Sequence, residues 1–341
     1  MTDSVTLKTV AAEAGVHVST ASRALNPNTR SVVNEETAER VLEVAERLDY
    51  RPHPLARGLR TNRTLTIGMV VPDLMNPLFP PIYAGAESVL GDLGYSLLVG
   101  TDDDDDAKSL SVIEALLERR VDGLILASAH RGFTLPKSRE TLPTVLVNRS
   151  VESYAFPAIV GDHHVGIGLA VRHLVGLGHT AIAHVAGPQD LSTGIARRQG
   201  FVRSMEGEGL DAPDRLIVEA DAFRIEEGRI ACEALLDSDG QFTAIVAGND
   251  LIALGCYDAL AERGLSIPND VSVTGYNDLL FVERVSPPLT TIAVDYREMG
   301  AAAARQLLDL VGEEGEGSIY PPVQLAPSLV VRASTAPPPE R

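Results

Sequence analysis

The sequence predicts an all-α helix-turn-helix headpiece followed by a larger α/β core of two lobes, each a parallel sheet flanked by helices. Three observations predict it. Within the first fifty residues, apolar side chains recur at helical spacing on either side of Gly15. From about residue 64 onward, short uninterrupted apolar runs alternate with helical patterns, as strands buried on both faces do in parallel sheets. The charge divides at the same place: residues 1–63 hold nine Lys and Arg against eight acids, whereas 64–341 hold 20 against 39. A chain of 341 residues has room for about two domains.

The headpiece elements follow in order. Leu7, Val10, Ala11 and Ala14 recur at i, i+3, i+4 and i+7, which predicts an amphipathic helix of about two turns. Gly15 ends it, because glycine accepts the left-handed conformation that closes a helix. Ser19 or Thr20 is suited to cap a second short helix with Ala21, Ala24 and Leu25 inward, and Asn26-Pro27-Asn28 stops it. Asn34 caps a third helix running to about Leu48, with Val41, Val44, Ala45 and Leu48 on one face. Two short helices about a tight glycine turn, backed by a third, make a helix-turn-helix unit. Residues 51–63 (RPHPLARGLRTNR) then carry four Arg and no acid, with Pro52 and Pro54 breaking the preceding helix.

In the core, strand-like runs are expected at Leu65–Val71, Tyr95–Gly100, Val121–Ala127, Pro143–Asn148, Ala181–Ala186, Thr243–Ala247 and Val271–Gly275. Helical patterns lie between them at Ala84–Leu93, Ser109–Arg120, Ile167–Leu177, Ile195–Glu208, Arg229–Leu236 and Leu251–Arg263. These are more βαβ units than one open sheet needs, hence two lobes. The last residues, 336–341, read as a disordered tail.

Composition excludes several classes. Cys232 and Cys256 cannot by themselves form a disulfide framework or a zinc ligand set, and read as small buried apolar residues. The N-terminus has neither a basic start nor an apolar stretch, and no run approaches the roughly 20 apolar residues of a membrane helix. A cytoplasmic protein without membrane partners is therefore expected. The run Asp102–Asp106 lacks calcium-loop spacing and reads as a solvated loop entering a helix N-terminus. Asp162-His163-His164 has no further ligand at metal spacing. Patterns such as GxSxG, HExxH and GxxxxGK[ST] are missing, so no catalytic residue, metal or cofactor is expected, and the chain does not read as an enzyme. A net charge of −18 taken alone disfavours nucleic acid, but most of that charge lies beyond residue 63.

The order of motifs resembles the lactose repressor (LacI/GalR) family of ligand-responsive bacterial transcription regulators. The resemblance is carried by VTLKTVAAEAGVHVSTASRALN (5–26), YRPHPLARGL (50–59) and IGMVVPDLMNPLF (67–79). It continues through RVDGLILAS (120–128), HLVGLGH (173–179), GNDLIALG (248–255), DVSVTGYND (270–278), PPLTTI (287–292) and LVVRAST (329–335), nearly the whole chain. It implies a headpiece at 1–50, a hinge at 51–63 and a periplasmic-binding-protein-like core at 64–335. The first lobe would comprise about 64–161 plus 293–319, and the second about 162–290 plus 320–335.

A short helix fits a major groove about 12 Å wide and presents its N-terminal side chains to base edges. The outward residues here are His17, Val18, Ser19, Ser22 and Arg23. The resemblance puts Val18, Ser19 and Arg23 at base-reading positions, with Arg23 suited to a guanine and Val18 to a thymine methyl. Thr20, Ser22 and Asn26 suit phosphate oxygens. In the hinge, Ala56, Arg57 and Leu59 fall on the family's minor-groove pattern, Leu59 as the wedge that kinks the duplex. Gly58 departs from the usual small polar residue or Ala there and lowers helix propensity by about 1 kcal/mol.

The resemblance also implies an effector cleft between the lobes, near the C-terminal ends of strands. Its residues would be Leu78, Phe79, Asp162, Thr193, Arg197, Phe223, Asn249 and Asn277. Several family members have Asp where Asn277 stands and Arg where Leu191 stands; the missing Arg disfavours a purine and leaves a sugar-like effector. The expected function is a repressor that binds a palindromic double-stranded operator as a homodimer under small-molecule control. A heptad leucine tail is lacking at 312–341, which argues against a tetramer. The alternative, a sugar-binding transport component of the same core fold, lacks its secretion signal here and has no use for a helix-turn-helix.

Overall fold

A computed structural model describes residues 5–25, 29–50, 63–135, 142–153, 156–312 and 321–340. The chain forms two compact units, Met1–Leu65 and Thr66–Arg341.

The first unit holds α1 (Leu7–Glu13), α2 (Val18–Ala24), a short 3-10 turn at Arg30–Val32, and α3 (Glu35–Arg47). Thr6 and Thr9 cap the start of α1 reciprocally. Gly15 takes φ +65 at its end, as the turn requires. Helix α2 starts earlier than the sequence suggests. Its cap is His17 rather than Ser19 or Thr20: the ring Nδ1 accepts from the Ser19 N–H at 3.3 Å, as a serine or asparagine oxygen would. Asn34 caps α3 through the Glu36 N–H. Val10, Ala11, Ala14, Ala21, Ala24, Ala38, Val41, Val44 and Ala45 form one buried cluster, with Leu25 and Leu48 packed on it. Arg40 Nε closes the α1–α2 turn by donating to the Ala14 carbonyl at 3.1 Å.

The second unit contains two sheets, each of six strands among the described residues. The first sheet comprises β1 (Thr66–Val71), β2 (Ser96–Thr101), β3 (Gly123–Leu126), β4 (Thr144–Val147), β5 (Ala158–Gly161) and β11 (Val323–Leu325), in the order β11-β5-β4-β3-β1-β2. All its pairings are parallel. The second comprises β6 (Ile182–Ala186), β7 (Ile217–Glu219), β8 (Ala244–Ala247), β9 (Ser272–Asn277), β10 (Thr290–Ala293) and β12 (Ser328–Val330), in the order β12-β10-β9-β8-β6-β7. Only β12 runs antiparallel.

Alternate residues of the strands serve opposite faces. Ile67, Met69 and Val71 join a core with Ile82, Ala86 and Leu90 of α4 (Phe79–Asp92) and Met299, Ala303 and Leu307 of α10 (Tyr296–Gly312). Val70 faces the other way, toward Ile113 and Leu116 of α5 (Asp106–Glu118). The second sheet is flanked by α6 (His163–Gly176), α7 (Ser192–Gly207), α8 (Ile225–Leu236) and α9 (Asp250–Glu262). Cys232 and Cys256, on α8 and α9, are both fully buried free thiols.

The chain crosses between lobes three times: after β5, between β10 and α10, and between β11 and β12. Val323–Leu325 therefore belongs to the first sheet, where the resemblance implies about 320–335 for the second lobe. A three-residue edge strand with exposed Val323 and Gln324 has too little apolar pattern to announce its sheet. The expected disordered tail also needs correction. Ala336 is held on both sides, its carbonyl accepting from His179 Nε2 at 2.8 Å and its N–H donating to Ser272 Oγ at 3.1 Å. Likewise Asp102 is buried, not solvated, at the end of β2, and Asp105 caps α5.

Candidate functional site

In each sheet the strand order reverses beside the first strand, β1 in one and β6 in the other, and open α/β sheets bind ligands at such switch points. A cavity of about 290 Å³ opens there, lined by the segments that leave the C-terminal ends of β1, β2, β4, β7, β8 and β9 and by the start of α7. Leu78, Phe79, Thr193, Arg197, Phe223, Asn249 and Asn277 all line it. Asp162 does not: its carboxylate accepts from the Val165 N–H at 3.0 Å and caps α6. Proximity in sequence to a strand end cannot separate a cap from a wall residue.

Arg197 is the centre of the site. It is 3% exposed, and each guanidinium nitrogen has a neutral partner. Nη1 donates to the Gly248 carbonyl at 2.8 Å, Nη2 to Asn277 Oδ1 at 3.5 Å, and Nε to His163 Nδ1 at 3.4 Å. Its carbon sits 3.8 Å from the Tyr276 ring centroid and 5.6 Å from that of Phe223, both within cation–π range. Burial and the adjacent Arg197 charge hold His163 well below the usual histidine range, so it stays a neutral acceptor. Burial pushes the Tyr276 hydroxyl up to about 12.

Asn277 adopts φ +122, a sparsely populated conformation for any residue with a side chain. Four hydrogen bonds hold this strand end. Asp250 accepts from the Leu279 N–H at 2.8 Å and from Thr291 Oγ1 at 2.5 Å. Arg332 donates to Asp278 Oδ1 at 2.7 Å. Tyr296 donates to Asn277 Oδ1 at 2.7 Å.

The sequence reading missed the first-lobe pair Arg149–Asp104. Arg149 is 4% exposed, lines the cavity, and meets Asp104 with two nitrogens at 2.6 and 3.2 Å. No local pattern links two residues 45 apart; the buried arginine just after β4 was the available signal. Asn148, also in the wall, takes φ +66.

In the headpiece, His17, Ser19 and Arg23 are exposed on α2, and Val18, Thr20 and Ser22 are half-buried. Ser19 Oγ lies 2.8 Å from His17 Nδ1, so that hydroxyl already has an intramolecular partner. Asn26, Ala56, Arg57 and Leu59 lie outside the described residues. Among the described residues, no group of three or more His, Cys, Asp or Glu is placed to hold a metal ion, and no helix is long and apolar enough to cross a membrane.

Comparison with known proteins agrees with both halves. The family "Bacterial regulatory proteins, lacI family" matches residues 6–53, and the "Periplasmic binding protein-like domain" matches residues 171–335. Catabolite control protein A of Priestia megaterium is 32% identical over 97% of this chain and 99% of its own length. The HTH-type transcriptional repressor PurR of Haemophilus influenzae (strain PittEE) is 34% identical over 96% and 98%, and the ribose operon repressor of Escherichia coli (strain K12) 33% over 96% and 99%. Among solved structures, the lac repressor dimer bound to operator and the anti-inducer ONPF superposes with a TM-score of 0.81 at 29% identity, covering 97% of this chain and 99% of that one. The complex of the transcriptional regulator CelR with cellobiose gives 0.73 at 29% identity, with the same coverage. These relatives are regulators of transcription, not enzymes. The chain belongs to the lacI family of bacterial regulatory proteins and is a DNA-binding transcription regulator with an effector-controlled core.

Proposed function

We propose that this regulator is a repressor that binds a palindromic operator as a homodimer and responds to a small, sugar-like effector in the cleft. The convergence on one cavity, around the buried Arg197, of seven side chains that the resemblance named is the observation that carries the effector reading. The names of relatives support the rest: one is a ribose operon repressor, one a complex with cellobiose, and one a dimer on operator. We assign residues 1–50 to the DNA-reading headpiece, 51–63 to the hinge and 64–335 to the core, and place the protein in the cytoplasm with the chromosome.

On this reading Val18, Ser19 and Arg23 face base edges with His17 outward at the start of the same helix, Thr20, Ser22 and Asn26 face the phosphates, and Ala56, Arg57 and Leu59 the minor groove. Effector binding changes the angle between the lobes and thereby operator affinity, a coupling typically of about 1–3 kcal/mol. Gel shifts with DNA flanking its own gene test it. Arg23→Ala should remove sequence preference, since a bidentate guanine contact is worth about 1–3 kcal/mol. Leu59→Ala should weaken binding by relaxing the kink. Wild-type affinity in both variants overturns the DNA assignment.

A further inference from the structure

The second-lobe wall of the cleft offers a ligand hydrogen-bond donors and few acceptors. Asn249 Oδ1 is committed to the Ile252 N–H at 2.8 Å, capping α9. Asn277 Oδ1 already accepts from Tyr296 and Arg197. The Gly248 carbonyl and His163 Nδ1 are both taken by Arg197. Both amides present their NH2 groups as donors, and Asn277 Oδ1 has both lone pairs engaged. Thr193 adds a hydroxyl that is 2% exposed and has no hydrogen-bond partner among the described residues.

The charge points the same way. Arg197 is a buried cation whose contacts, Gly248, Asn277, His163 and Tyr276, are all neutral, and no described carboxylate forms an ion pair with it. Asp250, which acts on it electrostatically, has both oxygens engaged by Leu279 and Thr291. Asn277 is an amide, not an acid. A buried guanidinium with no carboxylate in contact is costly, and a ligand that brings a negative charge to it offsets the cost. Neutral hydroxyls fit less well than an anion, because each brings a hydrogen to a wall whose carbonyl oxygens and ring nitrogen already accept at least one.

The opposite wall is mixed, with carboxylates beside the Arg149 guanidinium. Asp73, Asp103 and Asp104 line it, with Asp104 paired to Arg149 and Asp103 to Lys108. Their oxygens suit ligand hydroxyl hydrogens, and Asp73 has no ion-pair partner among the described residues. The second-lobe side chains offer chiefly donors, the first lobe supplies the cavity's carboxylates with Asn76, Asn148 and Arg149 beside them, and the 290 Å³ volume suits one monosaccharide-sized molecule.

We propose that the effector is a small polyol bearing one anionic group, a carboxylate or a phosphate, seated on Arg197, Thr193 and the side-chain amides of Asn249 and Asn277. Its hydroxyls face Asp73 and Asp103. The proposal rests on the cleft being the effector site.

Thermal unfolding of the full chain at constant ionic strength tests it, with inorganic phosphate, D-gluconate, D-glucose 6-phosphate and D-glucose as probes. At least one anionic probe should raise Tm saturably where glucose does not. A response to the two phosphates alone identifies a phosphoryl group, and a response to gluconate alone a carboxylate. Arg197→Gln and the near-isosteric Asn277→Asp, which supplies the missing negative charge internally, should each weaken that response at least tenfold. Three results overturn the proposal: no anion gives a saturable rise, glucose matches the charged hexoses, or the rise survives both substitutions. A gel shift run in parallel separates the two readings. DNA binding without an anion response removes this inference alone, and an anion response without DNA binding removes the regulator assignment alone.

Discussion

Tyr296 donates its hydroxyl hydrogen to Asn277 Oδ1 over 2.7 Å, and the two residues belong to different lobes, the first turn of α10 and the end of β9. Both side chains are buried, with Asn277 5% and Tyr296 6% exposed. Burial also raises the Tyr296 hydroxyl far above the ordinary tyrosine range, so it remains a donor at any ordinary pH. The contact ties a cavity-wall side chain to the lobe that does not contain it.

Tyr296→Phe removes that donor and keeps the ring. The expected loss is about 1–3 kcal/mol, since a buried acceptor is left with only the long Arg197 contact. Urea unfolding against wild type checks it; an unchanged midpoint contradicts the tie.

Helices α4 and α10 meet at two glycines. A Cβ on Gly85 would lie 1.8 Å from the Arg297 carbonyl oxygen, and one on Gly300 1.9 Å from that of Ile82. Gly300→Ala must separate the helices and should cost about 1–3 kcal/mol despite the better helix propensity of alanine. Stabilisation on thermal melting would show that the helices are not in contact there.

Burial pushes Asp250 up to about 6. An unfolded aspartate titrates near 3.9, so between about pH 4 and 6 the folded chain holds a proton that the unfolded chain has released. Stability from this group therefore falls as pH rises through that window, by up to about 3 kcal/mol. His184, driven down to about 4 by burial, acts in the opposite sense: stability is lost as pH falls from about 6.5 toward 4. Only a difference isolates Asp250. The stability of Asp250→Asn relative to wild type should improve from pH 4 to pH 7 in urea titrations, and a pH-independent difference contradicts the assignment.

Asp104→Asn leaves Arg149 buried without its counter-charge. Asp104 is 38% exposed, which discounts the loss to about 1–2 kcal/mol. Asp103→Asn, whose partner Lys108 is itself exposed, should cost less. Equal losses in parallel denaturant titrations would place the two carboxylates in equivalent surroundings.

Much of this architecture was legible because its elements are locally consistent. The Leu7–Ala14 and Val41–Leu48 patterns and the apolar runs of β1, β3, β4 and β8 name their own burial. The edge strands β7 and β11 were not legible: both are three residues long and only partly covered. In the cleft, motif order placed seven wall residues but also Asp162, because a helix cap and a ligand contact use the same residue types after a strand. The Arg149–Asp104 pair and the Tyr296–Asn277 tie exist only once distant segments meet. The acidic run shows the same limit: five consecutive aspartates include a buried residue, an ion-pair partner and a helix cap.

Three separate stretches of chain cross between the sheets, after β5, after β10 and after β11. A rotation centred on one crossing has to be matched at the other two, so the lobes cannot swing as beads on a single thread. Three crossings leave the lobes few independent degrees of freedom relative to one another, so any change of angle that all three allow is closely constrained. A molecule built this way reports chemistry as geometry.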